Sequence, residues 1–161
     1  MPAGGCSAVA PVSTMISRRL LLAGAVTAML PACSTPARAL TVYKTASCGC
    51  CKGWVAIMER AGYAAKVVLV DDVTPIGDKH GVPFALSSCH LATIGDYVTV
   101  GHVPPADVAR LLRERPKAIG LTVPGMPMGS PGMEMPDGSR EAYETLLLLS
   151  GGMTEVFSRH A

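Results

Sequence analysis

Residues Leu40–Gly62, "LTVYKTASCGCCKGWVAIMERAG", place a strand, a thiol cluster and a helix in direct succession. Leu40 to Thr45 is rich in β-branched and aromatic residues, the composition of a strand. Trp54, Ile57, Met58 and Ala61 recur at i, i+3, i+4 and i+7, the spacing of an apolar helical stripe, and Gly62 supplies the C-terminal stop. Between them lies Ser47-Cys48-Gly49-Cys50-Cys51-Lys52, in which Cys48 and Cys51 make a C-x-x-C with a third thiol inside it. Thiols at a helix start sit near free backbone N–H groups and the positive helix end, which favours thiolate. Thiolate serves disulfide exchange and metal binding alike, so position alone leaves both readings open.

Downstream, Ala65 to Val70 is an apolar run of strand length, suited to a buried parallel strand. Thr74-Pro75 opens a short helix that ends by Gly81. Leu91 to Ile94, Gly95-Asp96 and Tyr97 to Val100 read as a β-hairpin. Pro104-Pro105 opens a further helix with Val108, Leu111 and Leu112 as its stripe, and Pro116 ends it. The order β-α-β-α-β-β-α, with C-x-x-C at the first strand–helix junction, is that of a thioredoxin-like α/β domain. Thr145 to Leu149 and Thr154 to Phe157, around Gly151-Gly152, add a C-terminal hairpin. Val123 to Gly138 is a loop rich in Pro, Gly and Met with no period.

The N-terminal 39 residues read differently. Arg18-Arg19, the apolar run Leu20 to Leu30 and Ala37-Arg38-Ala39 form a charged segment, a short apolar core and an A-x-A site, the layout of a secretory signal. Ser17-Arg18-Arg19-Leu20 also fits a twin-arginine signal, and the residues suit either route. Met15 is an alternative start, and Leu30-Pro31-Ala32-Cys33 resembles a lipoprotein box with an ill-fitting proline. These readings divide the chain into an export signal, 1–39, and one domain, 40–161. Cleavage after Ala39 would remove Arg18, Arg19 and Arg38, taking Lys+Arg from 14 to 11 against 12 Asp+Glu, so the net charge moves from +2 to −1. The basicity belongs to the leader, and nothing indicates nucleic-acid binding. Four of the six cysteines remain, Cys48, Cys50, Cys51 and Cys89, in a compartment where disulfides persist.

The third thiol discriminates between redox and metal chemistry. A dithiol oxidoreductase needs an attacking and a resolving cysteine, and a thiol between them invites misdirected exchange. A soft metal gains a ligand from it. Cys89-His90 precedes the hairpin, and in a thioredoxin-like fold that loop faces the C-x-x-C. Met126, Met128, Met133 and Met135 crowd a loop without helical spacing, and thioether is a soft neutral ligand that selects Cu(I). The plainer reading of that loop is a flexible hydrophobic flap. His102 either caps the site or is a surface residue. Zinc held by Cys48, Cys51, Cys89 and His90 would leave Cys50 and the methionines idle, so zinc ranks behind copper.

Cys48-Gly49-Cys50-Cys51, Ser88-Cys89-His90, Gly101-His102-Val103-Pro104 and Met126-Pro127-Met128-Gly129-Ser130-Pro131-Gly132-Met133-Glu134 together resemble the DUF411 family, which includes the CopG-type periplasmic copper proteins of Gram-negative bacteria. The resemblance runs from about Thr41 to Phe157. It implies a thioredoxin-like fold, copper binding and a role in copper resistance that includes interconversion of Cu(I) and Cu(II). It places Cys48, Cys50, Cys51 and Cys89 and Met126, Met128 and Met133 at the metal, with His90 and His102 as weaker candidates. The family loop often has glycine where Met135 stands. A copper-handling or efflux protein and an electron donor are the partners it implies. Two other classes stand beside copper binding: a thiol–disulfide oxidoreductase using Cys48 and Cys51, and a partner-binding module with structural thiols.

Overall fold

The computed structural model describes residues 38–161. The expected export signal as far as residue 37, the alternative start at Met15 and the cysteine of the expected lipoprotein box, Cys33, lie outside the described residues. The described chain runs β1 (Arg38–Lys44), α1 (Gly49–Arg60), β2 (Tyr63–Leu69), α2 (Thr74–Lys79), β3 (His90–Ile94), β4 (Tyr97–Gly101), α3 (Pro105–Glu114), β5 (Gly120–Val123), β6 (Tyr143–Leu148) and β7 (Thr154–His160), with single 3-10 turns at Phe84–Leu86 and Ser150–Gly152. The expected cleavage point after Ala39 falls inside β1, where Arg38 and Ala39 pair with Tyr63 and Ala64.

All seven strands join one mixed sheet in the order β2-β1-β3-β4-β5-β6-β7. β1 lies parallel to β2 and β4 parallel to β5; the remaining neighbours are antiparallel. Each face of the sheet carries its own core. Leu40, Val42, Trp54, Met58, Val108, Leu111, Leu121 and Val123 form the larger one, beneath α1 and α3. Val82, Leu91, Val98, Val100 and Leu148 form the smaller one, with Ile76 of α2 packed on it. The period of two along β3 explains the split: Leu91 faces the smaller core while Ala92 and Ile94 lie with the larger.

Three details differ from the sequence reading. The buried stripe of α1 is Cys51, Trp54, Val55 and Met58, whereas Ile57 is half-buried and Ala61 exposed. The spacing is the expected one, but the stripe starts at a cysteine that packs as a small apolar residue. β2 is an edge strand and leaves Val67 and Leu69 exposed, because α1 covers only part of its face. The strand β5 had no separate signal. It is four residues long, and it ties the C-terminal hairpin β6–β7 into the main sheet.

Register sets the functional geometry. Lys44, the last residue of β1, pairs with His90, the first of β3. β4 ends at Gly101, beside the start of β3, and α1 begins five residues after Lys44. The ends of three elements and the start of α1 therefore meet at one margin of the sheet. Gly101 lies at φ +73, and a side chain there would sit 2.7 Å from the Val123 carbonyl oxygen and 2.9 Å from Ser88 Oγ. Only glycine fits that turn, which directs His102 inward.

Candidate metal centre

Cys48 occupies the N-cap of α1 in an extended conformation, with Cys50 and Cys51 in the first helical turn. Cys48 and Cys51 are joined in a disulfide, while Cys50 and Cys89 are free thiols. The bridge closes a loop of only a few residues, too short to stabilise the fold appreciably by chain entropy. The fourth sulfur arrives from the loop before β3. Cys89 Sγ lies 3.6 Å from Cys51 Sγ and 3.9 Å from Cys50 Sγ, and Cys50 Sγ is 3.5 Å from Cys48 Sγ. All four sulfurs fall within 4.8 Å of one another.

A second set of donors adjoins the first through Cys89. Its Sγ is 3.6 Å from His90 Nδ1 and 3.7 Å from His102 Nε2, and the three residues again offer ligand atoms within 4.8 Å of one another. Both imidazoles are fully buried. His102 Nδ1 lies 2.8 Å from the carbonyl oxygen of Pro131. That oxygen can only accept, so Nδ1 carries the proton and Nε2 presents a lone pair towards Cys89. His90 packs against Trp54 with ring centroids 4.6 Å apart and meets His102 edge-on at 5.1 Å. Its Nε2 has no hydrogen-bond partner; among the described residues only Thr99 Oγ1 shares that condition.

The electrostatics keep these groups neutral without metal. Burial, then the neighbouring His102 and Lys44, push the His90 pKa down to about 3, against one opposing backbone hydrogen bond at Gly101. Burial also lowers that of His102, against the pull of the Pro131 carbonyl and Glu134. Burial and the Cys50 thiol raise that of Cys89. Neutral imidazole is the form that ligates a metal, and binding would expel the Cys89 proton.

The methionine loop lies directly on this centre. A side chain at Gly132 would sit 2.6 Å from the Trp54 nitrogen and 2.9 Å from the Cys50 carbonyl oxygen. Met133 follows that contact and is half-buried, whereas Met126, Met128 and Met135 are 43%, 37% and 39% exposed. The structure thus brings Cys48, Cys50, Cys51, Cys89, His90 and His102 into one cluster, with Met133 next in sequence to the loop's contact at Gly132 and Met126 and Met128 exposed.

The family model described as "Protein of unknown function, DUF411" matches residues 86–133. Two solved structures named copper resistance protein copG, in forms 1 and 2, are 39% and 38% identical to this chain. Each alignment covers 76% of this chain and 96% or 98% of the other, with TM-scores of 0.71 and 0.72. The chain belongs to the DUF411 family, in its CopG-type branch. No curated protein matches it. The DUF411 segment takes in Cys89, His90, His102 and the loop as far as Met133, and the helix-start cysteines lie upstream of it. Among its described residues, this DUF411 protein has no helix long and apolar enough to cross a membrane.

Sequence reasoning passed over Lys44 and His160. Lys44 is 3% exposed and its Nζ donates to the Thr45 carbonyl at the margin of the centre. An alternating strand pattern carries no warning that its last inward position is a lysine. His160 belongs to a different cluster with Asp107, Thr145 and Ser158, assembled from the β6–β7 hairpin and the sequence-distant α3.

Proposed function

We propose that the protein is an exported copper-binding protein of copper resistance, working in the periplasm on a thioredoxin-like scaffold. The observation that carries this reading is the fusion, through Cys89, of an all-sulfur cluster to a sulfur–imidazole cluster holding an unpartnered buried nitrogen. Soft thiolates suit Cu(I), and imidazole accommodates either oxidation state of copper. Cys48, Cys50, Cys51 and Cys89 take copper as thiolates, His90 and His102 complete the set, and Met133 with Met126 and Met128 supplies thioether at the rim. Zinc ranks behind copper, because tetrahedral closure would need only part of this donor set.

The disulfide supplies the entry step. Two electrons and two protons convert Cys48–Cys51 into two thiols, and metal binding then releases the thiol protons. The pair therefore holds electrons as well as ligands, which favours interconversion of Cu(I) and Cu(II) over passive storage and calls for an electron donor and a copper-accepting partner. Delivery is by the general or the twin-arginine route, with Cys33 as the lipid attachment point if the lipoprotein box is used. A thiol–disulfide oxidoreductase acting through Cys48 and Cys51 is the second reading, favoured by the same disulfide.

Reduced protein titrated anaerobically with Cu(I) should show more than one sulfur per metal by X-ray absorption. Replacing Cys48, Cys50 and Cys51 together by serine should abolish tight binding, read by competition with a coloured Cu(I) chelator. Unchanged affinity in that variant overturns the copper reading. Insulin reduction that survives Cys50→Ser would select the oxidoreductase.

A further inference from the structure

The methionine loop touches the cysteine helix at a place where neither partner has a side chain. A Cβ on Gly53 would meet Gly132 Cα at 3.1 Å, and one on Gly132 would collide with the Trp54 nitrogen and the Cys50 carbonyl oxygen. Gly132 also takes φ +87, which other residues rarely adopt. A glycine inside α1 lowers helix propensity and brings no packing of its own. Its place here is explained by the close approach of the loop backbone.

The loop behaves as one unit behind that contact. Ser130 N–H donates to the Pro127 carbonyl, Met133 N–H to the Ser130 carbonyl and Gly129 N–H to the Met133 carbonyl. Ser130 Oγ, fully buried, donates to the Pro127 carbonyl as well. Glu141 holds the Met128 end of the turn, and His102 fastens the Pro131 end to the sheet margin, its Nδ1–H donating to the Pro131 carbonyl at 2.8 Å. The other nitrogen of the same ring faces Cys89.

We propose that Gly53, Gly132 and His102 are positioning residues: the glycine contact and the His102–Pro131 hydrogen bond seat the methionine loop over the thiols, and filling the site tightens that seat. The proposal rests on the copper reading. A metal ion on His102 Nε2 draws electron density from the ring and makes Nδ1–H a stronger donor to Pro131. The loop then closes on loaded protein and loosens on empty protein, with no loop residue needing to touch the ion.

The test uses the reduced full chain, with Cu(I) supplied as its acetonitrile complex, and reads hydrogen exchange of the peptide spanning residues 126–134. Native protein should exchange there at least tenfold more slowly when loaded than when empty. Gly53→Ala retains every sulfur and nitrogen donor and favours the helix, but pushes on the loop. It should reduce the slowing to less than threefold and speed removal of Cu(I) by a chelator at least tenfold. Gly132→Ala should do the same more strongly, and Gly53→Ala carries the test alone if that variant fails to fold. Loop exchange indifferent to Cu(I) in native protein, or release from Gly53→Ala at the native rate, overturns the proposal and leaves the copper reading standing. No uptake of Cu(I) by native protein overturns both.

Discussion

Two buried polar clusters join distant parts of this chain, and they are finished differently. Asp107 on α3 accepts from Thr145 Oγ1 at 2.6 Å, from Ser158 Oγ at 2.8 Å and from His160 Nε2 at 2.9 Å. Both carboxylate oxygens are used, and Tyr143 stacks on His160 at 4.6 Å. The cysteine–histidine cluster has sulfur contacts of 3.5 to 3.9 Å, weak as hydrogen bonds, and an imidazole nitrogen with no partner at all. A satisfied network holds a hairpin to a helix; an unsatisfied one has capacity left for a ligand. Burial and residue type alone would not have separated them.

The contrast can be broken at the satisfied end first, where the expected effect is largest. Asp107→Ala removes the acceptor shared by buried Thr145 and part-buried Ser158 and His160, and should cost about 3 kcal/mol in urea unfolding. Cu(I) uptake should be unchanged in the protein that remains folded. At the other end, Cys89→Ala should lower Cu(I) affinity by at least tenfold, about 1.4 kcal/mol, in a chelator competition. Its unfolding midpoint should hardly move, since Cys89 has no strong hydrogen bond to lose. A reversed pattern in these two variants would exchange the roles of the clusters.

Acid should act on the unsatisfied cluster in a defined direction. Folding lowers the His90 pKa from 6.5 to about 3, so between those values the unfolded chain binds a proton that the folded chain does not. Stability from this group is therefore full above about pH 6.5 and is lost as pH falls towards 3. The slope is about 1.4 kcal/mol per pH unit in metal-free protein, and His90→Gln should flatten it. Urea midpoints measured between pH 7 and pH 5 would check the sign.

Much of this molecule could be read from local pattern. The strand–cysteine–helix junction, the Gly95-Asp96 hairpin and the proline-bounded α3 each carry their own signal, and the elements appear there. What escaped depends on partners far along the chain. β5 has four residues and gains strand character from β4 and β6 on either side. The exposure of Val67 and Leu69 follows from β2 lying at the sheet edge, which composition does not encode. His160 has no supporting context in the sequence, because Asp107 lies 53 positions away. In the candidate metal centre the residue types were legible, while the Cys48–Cys51 bridge and the exposure of Met126 and Met128 are properties of three-dimensional placement.

Trp54, the chain's single tryptophan, donates from Nε1 to the Val103 carbonyl at 2.9 Å and keeps its ring against His90. The protein thus contains one indole fluorophore beside four tyrosines, fixed in orientation and in van der Waals range of the candidate centre. Excited at the red edge, where tyrosine does not absorb, its emission reports that one environment. Copper arriving at His90 should quench it, Cu(II) most strongly, so filling and emptying can be followed optically in unlabelled protein.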